Sequence, residues 1–165
     1  MSLSVTQSKT ATASRNLKQE KIRVVSRHEA ITVGSGETLR KTILLMQEAE
    51  GDCALICNDR RLVGIITERD ILNKVLGHNV TLDDPVDRFM TTNPGTLTAD
   101  GTVQEALEMM ERGGYRNIPL VDGEGCVAGV LRSQDILEYV AEAFPEEVLN
   151  LPPRPHQVME EPEGG

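Results

Sequence analysis

The chain repeats itself, and that constrains its fold more than any other feature. Ile31-Thr32-Val33 returns as Gly95-Thr96-Leu97, and Thr38-Leu39 through Met46 returns as Thr102-Val103 through Met110, both at the same offset. Farther along, Val63-Gly64-Ile65-Ile66 with Asp70-Ile71-Leu72 returns as Ala128-Gly129-Val130-Leu131 with Asp135-Ile136-Leu137. There the offset has grown by a single position, which falls in the turn Asp122-Gly123-Glu124-Gly125. A fixed period of this kind marks two copies of one supersecondary unit that buries its apolar face against its neighbour. At 165 residues the two copies share one compact body.

Each copy reads as short strand, helix, hairpin, helix. In the second, Val103, Ala106, Leu107 and Met110 line one helical face, and Thr102 with Glu105 has the spacing of a capping box. Ile118 to Val121 and Cys126 to Leu131 are apolar runs around an Asp-Gly turn; Ala54 to Cys57 and Leu62 to Ile66 repeat the pattern around Asn58-Asp59. Strands this uniformly apolar need cover on both faces, which one unit can hardly supply alone. The expected class is therefore α/β (α+β), with the two units packed together. With aromatic residues at 2% and no Trp, aliphatic side chains and Met must fill the interior.

The repeat leaves two ends. Residues 1–28 are polar and basic and read as a flexible arm outside the core; residues 145–165 hold five of the eight prolines among acids and read as a tail. The units are expected at 29–82 and 83–144. The net charge is −9 although the first arm is basic, so the body is strongly acidic and a poor surface for the phosphates of nucleic acid. No apolar run reaches the roughly 20 residues of a membrane span, and no signal-peptide pattern is present, so the expectation is a cytoplasmic protein without a membrane partner. Cys53, Cys57 and Cys126 lack the spacing of a zinc site or disulfide framework and read as buried thiols.

The candidate chemistry lies where each hairpin feeds its last helix: Gly64-Ile65-Ile66-Thr67-Glu68-Arg69-Asp70 and Gly129-Val130-Leu131-Arg132-Ser133-Gln134-Asp135. Both put an Asp at the sixth position after a Gly. A glycine there lets a ligand approach the backbone, free N–H groups at a helix start suit phosphate, and an acid can accept ribose hydroxyls. A plainer reading stands beside it: Thr67 and Asp70 are a capping box by themselves, and an acid in a first helical turn needs no ligand. In the second copy Ser133 stands only two positions before Asp135, so the box spacing is lost while the acid keeps its register.

These residues carry a resemblance. Leu62 through Leu72 after a helix and a short hairpin, repeated in tandem, together with Val86-Asp87-Arg88-Phe89-Met90-Thr91 and Ile118-Pro119-Leu120-Val121-Asp122, resembles a pair of cystathionine-beta-synthase (CBS) domains over residues 29 to about 143. The resemblance implies tandem β-α-β-β-α units in a pseudo-two-fold pair, often a homodimer through the CBS helices. It implies a regulatory module that binds AMP, ADP, ATP or S-adenosylmethionine between the units and acts on a partner of unknown identity, with no obligatory cofactor. Carried over by position, the first cleft uses Asp70 for ribose, Thr67 for ribose or phosphate and Ile65 against adenine, with Thr91, Gly95 and Tyr115 near the base and Arg116 at the phosphate. The second cleft uses Val130, Arg132, Ser133 and Asp135, but Arg132 replaces the Thr, and Asp52 is the counterpart of Arg116, so the Asp70 cleft ranks first.

Other chemistry is thin. No nucleophile with a base, metal cluster or carboxylate pair stands out, so an enzyme is not expected. His28, His78 and His156 are placed away from the repeated turns; His78 with Asp83 and Asp84 reads as a solvated loop rather than a metal site. Met46, Met109 and Met110 read as core or dimer seam, and Asn79-Val80-Thr81 as a chance glycosylation pattern. The alternative to a sensor is a non-binding dimeric scaffold in which both Asp turns only cap helices.

Overall fold

The computed structural model describes residues 15–144. The expectations for residues 1–14 and for the 145–165 tail, His156 included, lie outside them. A short helix α1 (Ile22–Val25) comes before the first unit, which runs β1 (Thr32–Gly34), α2 (Leu39–Glu48), β2 (Cys53–Asn58), β3 (Arg61–Thr67) and α3 (Glu68–Lys74). A 3-10 turn (Val86–Arg88) and β4 (Thr91–Thr92) lead into α4 (Val103–Gly113), β5 (Asn117–Val121), β6 (Val127–Arg132) and α5 (Ser133–Ala143).

Local chemistry accounts for the helix boundaries. Thr38 Oγ1 accepts from Lys41 N at 3.2 Å to start α2. Thr102 and Glu105 form the reciprocal box that starts α4, Glu105 Oε2 taking Thr102 N at 2.7 Å. Gly114, at φ 65°, then ends α4 in the left-handed conformation that a Cβ would penalise. The β2–β3 turn places Asp59 and Arg60 at φ 47° and 72°, the pair of positive values a two-residue type I′ hairpin demands.

β1 runs parallel to β2, with Val33 opposite Ile56, which obliges α2 to cross over between them; β2 and β3 are antiparallel. In the second unit β5 and β6 pair antiparallel, and the counterpart of β1 shrinks to one parallel bridge between Leu97 and Leu120. β4 belongs to the second unit yet pairs with β3 of the first, at Gly64 and Ile65. That approach is so close that a Cβ on Gly64 would strike the Met90 side chain and stand 3.0 Å from Thr91 O. The hairpins also meet at their tips, Leu62 N donating to Gly125 O at 3.2 Å and Val127 N to Arg60 O at 3.0 Å.

Each core is completed from the other side of the repeat. Val86 and Phe89 pack into the first core with Leu39, Ile56 and Ile66. Ile22 and Val25 pack into the second with Val103, Ile118 and Leu131. The two crossings match atom for atom: Val86 N donates to Glu37 O at 2.8 Å, and Ile22 N, its equivalent one repeat earlier, donates to Gly101 O at 2.9 Å. This corrects the expectation that residues up to 28 stand outside the core. Ile22 and Val25 are fully buried because the first unit opens at its own α1, as the second opens at the 3-10 turn.

Candidate functional site

β3 ends at Thr67, whose extended backbone turns directly into α3. Asp70 Oδ2 accepts from Thr67 N at 3.0 Å and from Thr67 Oγ1 at 3.1 Å, while Oδ1 meets Lys74 Nζ at 3.0 Å. The capping reading of this turn is thus real. It leaves acceptor capacity on Oδ1, because a carboxylate offers about four lone-pair positions.

In front of this turn lies a cleft of about 660 Å³ between the two units. Ile65, Thr67, Asp70, Thr91, Gly95, Tyr115 and Arg116 all line it. β3 and α3 supply the first three; β4 and the loop after it supply Thr91 and Gly95; the left-handed turn after α4 presents Tyr115 and Arg116. The Tyr115 ring lies so tightly over Gly113 that any Cβ there would overlap it, and its other side remains exposed to solvent. Arg116 takes part in none of the ion pairs formed among the described residues.

Two residues not expected from the sequence lie on the floor of this cleft. Asn117 Nδ2 donates to Asp52 Oδ2 at 3.3 Å across the boundary between the units. The remaining oxygens, Asp52 Oδ1 and Asn117 Oδ1, are buried without a hydrogen-bond partner. The only sequence signal was the register of the repeat, which places Asp52 in the position that Arg116 holds in the other copy.

The second corner is closed. Asp135 is fully buried; its Oδ2 accepts from Arg132 N at 2.9 Å, and its Oδ1 takes Arg132 Nη2 at 3.0 Å and lies 2.7 Å from His28 Nδ1. Val130 is buried in a small cluster with Cys53, Leu55 and Ile65, and Ser133 N is spent on Arg116 O at 2.9 Å. Of the four residues assigned to this cleft, only Ser133 is exposed; the Arg132 side chain has folded onto Asp135 instead of facing an open space. The acid holds the third helical position in both copies, so losing the Thr spacing did not move it.

His28 is therefore not remote from the repeated turns. Carried back by one repeat, Thr91 and Thr92 of β4 correspond to Arg27 and His28, and the segment crosses to the second unit as β4 crosses to the first, Ser26 Oγ donating to Val130 O at 2.9 Å. His28, Asp135 and Glu138 are the one group of potential metal ligands close together among the described residues. Arg132 Nη2, 2.6 Å from His28 Nδ1, already places a cation among them. His78 instead bonds Asn73 O at 2.9 Å, and Asp83 and Asp84 pair with Arg40 and Arg88.

Two of the cysteines are held in the thiol form. Burial, with the charge of Asp52 adding to it, pushes the Cys53 thiol up to about 12, and burial also raises Cys57, so both are held as thiols at neutral pH. No helix among the described residues is long and apolar enough to cross a membrane.

Comparison with known proteins agrees with this architecture. A CBS domain-containing protein of Arabidopsis thaliana is 33% identical over 104 residues, covering 62% of this chain and 19% of the relative, so the chain spans about a fifth of that protein. A CBS domain protein of Pyrobaculum aerophilum, solved in complex with AMP, superposes with a TM-score of 0.66 at 24% identity, covering 74% of this chain and 99% of the other. A CBS domain pair solved with 5′-methylthioadenosine and S-adenosyl-L-methionine gives a TM-score of 0.68 at 24% identity, covering 75% and 98%. The CBS domain model matches residues 22–77 and again 86–142, beginning at the two crossing segments that complete each other's cores, and the chain belongs to the CBS domain family as a tandem pair.

Proposed function

We propose that the protein is a regulatory sensor that binds one adenosine-bearing molecule in the Asp70 cleft and uses it to hold the two units together. The convergence of Ile65, Thr67, Asp70, Thr91, Gly95, Tyr115 and Arg116 on one cleft of about 660 Å³ carries this reading. β3 and α3 of the first unit and two segments of the second line it, so a ligand that touches all of them binds the closed pair better than a separated one. Differential affinity of this kind is what shifts a conformational equilibrium. The ribose hydroxyls fall to Asp70 and Thr67, the adenine to Ile65, Gly95 and the free side of Tyr115, and an anionic group to Arg116. Proteins of the same fold hold AMP, or 5′-methylthioadenosine and S-adenosyl-L-methionine, which supports the choice of ligand class.

The role is regulatory rather than catalytic: the hydroxyl–carboxylate pair that lines the cleft, Thr67 with Asp70, is engaged as the cap of α3. The regulated partner is a second protein, and the sensor acts as a homodimer. Leu72 on α3 and Leu137 on α5, equivalent in the two units, are 60% and 63% exposed, an apolar pair that a second copy would cover across a two-fold axis. The same leucines favour the second reading, a dimeric scaffold that binds no ligand, with Asp70 and Asp135 serving only as caps.

Thermal melting with AMP, ADP, ATP and S-adenosylmethionine separates the two. A ligand at one hundred times its dissociation constant adds about 2.7 kcal/mol, a shift of several degrees for a domain of this size. One site per chain, lost in Asp70→Ala and kept when the second corner is altered, supports the sensor. No shift with any of the four at millimolar concentration supports the scaffold.

A further inference from the structure

The floor of the Asp70 cleft is wrong for phosphate. Its charged lining is three carboxylates, Asp52, Glu68 and Asp70, against two guanidiniums, Arg69 and Arg116. Asp52 comes from the turn before β2 and Asn117 from the first residue of β5, so the two meet where the units join. Asn117 is 9% exposed, and one 3.3 Å hydrogen bond joins it to Asp52. Each keeps a buried oxygen with no donor, Asp52 Oδ1 and Asn117 Oδ1. Buried acceptors nearly always have partners, and an orphaned carboxylate oxygen is among the most costly to leave so. A phosphate placed here would add negative charge beside a carboxylate already short of donors. An ammonium would do the reverse: entering beside the Asn117–Asp52 bond, it offers three donors to two acceptors that have none. Arg116 lines the same cleft and, among the described residues, forms no ion pair, so it is placed for an anion next to that cation.

We propose that Asp52, Asn117 and Arg116 make this cleft selective for an adenosine whose 5′ arm ends in an amino-acid group, over one that ends in phosphate. The ammonium goes to the Asp52 carboxylate and the Asn117 amide oxygen, and the carboxylate goes to the Arg116 guanidinium. This rests on the adenosine-sensor reading and narrows its ligand class.

The test is isothermal titration of the full chain with five probes: S-adenosylmethionine, S-adenosylhomocysteine, 5′-methylthioadenosine, AMP and ATP. S-adenosylhomocysteine has the amino-acid group without the sulfonium charge and 5′-methylthioadenosine has neither, so the pair isolates the arm. Both amino-acid ligands should bind at least about tenfold more tightly than 5′-methylthioadenosine and AMP, the yield of one good charge-assisted hydrogen bond. Asp52→Asn keeps the shape, removes the charge and should erase most of that margin while improving AMP. If S-adenosylmethionine alone is favoured, the sulfonium and not the arm is read, and the proposal fails. AMP or ATP binding more tightly than both amino-acid ligands overturns it on the wild-type chain alone, whether or not the variant folds, and so does an undiminished margin in Asp52→Asn. In those cases the sensor reading survives. If none of the five binds, both readings fall together.

Discussion

The two Gly-to-Asp corners share a backbone plan and reach opposite ends. At the first, the residue three positions before the acid is Thr67, short enough to cap α3 and leave the space beyond it open. At the second it is Arg132, long enough to fold back onto Asp135 with His28 beside it. The neighbours differ in the same sense. Gly95 lines the open cleft, whereas its counterpart Ile31 reaches across to Gly51 and leaves no room there for a Cβ. A repeat thus preserves backbone geometry and capping while a few side chains decide whether the pocket it makes is available. In the second corner Arg132 and His28 occupy the acid that a ligand's ribose hydroxyls would otherwise reach.

Four experiments would break or sharpen that contrast. Replacing Asp135 by Ala strands Arg132 with its carboxylate gone from a fully buried position, and should cost about 3–5 kcal/mol, whereas Asp70→Ala in the ligand-free protein should cost about 1 kcal/mol as a lost cap. Urea unfolding of both variants measures the difference, and equal losses would show the corners to be alike.

Ile22→Ala follows in size. If the first crossing segment completes the second core as the 3-10 turn completes the first, it should destabilise by about 2–5 kcal/mol. A loss under about 1 kcal/mol in the same unfolding assay would restore a dispensable arm.

Arg132→Thr, which copies the first corner, should remove the plug and raise ligand stoichiometry from one to two per chain by titration. If the count stays at one while Arg132→Thr combined with Ile31→Gly reaches two, the base position and not the acid's neighbour is the block.

The smallest effect is in acid. Burial alone would raise the Asp87 carboxyl, but hydrogen bonds from Ser35 Oγ at 2.5 Å and Gly36 N at 2.6 Å outweigh it and hold the group below its ordinary 3.8. A depressed carboxyl contributes stability above its unfolded value that is lost as pH falls through the folded one. The wild type should therefore lose stability below about pH 4. Asp87→Asn should show a shallower slope there, read from melting temperatures across the acid range.

Much of this was legible in the chain. The repeat, the hairpins and the α4 capping box follow from spacings of a few positions, and such short-range rules hold in any tertiary setting. The seven residues of the first cleft were assigned position by position from the resemblance to CBS pairs, and they line one space. What was missed has a common cause. The same register also relates Ile22-Arg23-Val24-Val25 to Val86-Asp87-Arg88-Phe89, but only the apolar ends match, and a basic, polar approach to them masked the helix. His28 was invisible as a site residue, and Asp52 was assigned to the other cleft, because sequence proximity does not reveal such partners. Their partners, Asp135 and Asn117, lie 107 and 65 residues away.

The sequence by itself determined that there are two units, where their helices start and that an acid stands at the third position of the helix after each hairpin, because those are local hydrogen-bonding and periodicity requirements. Only the tertiary structure decided which corner stays open, which segment closes which core and which acceptors are left without donors. Those outcomes depend on side chains brought together across the join between the units, where length and charge at single positions settle whether a space is filled.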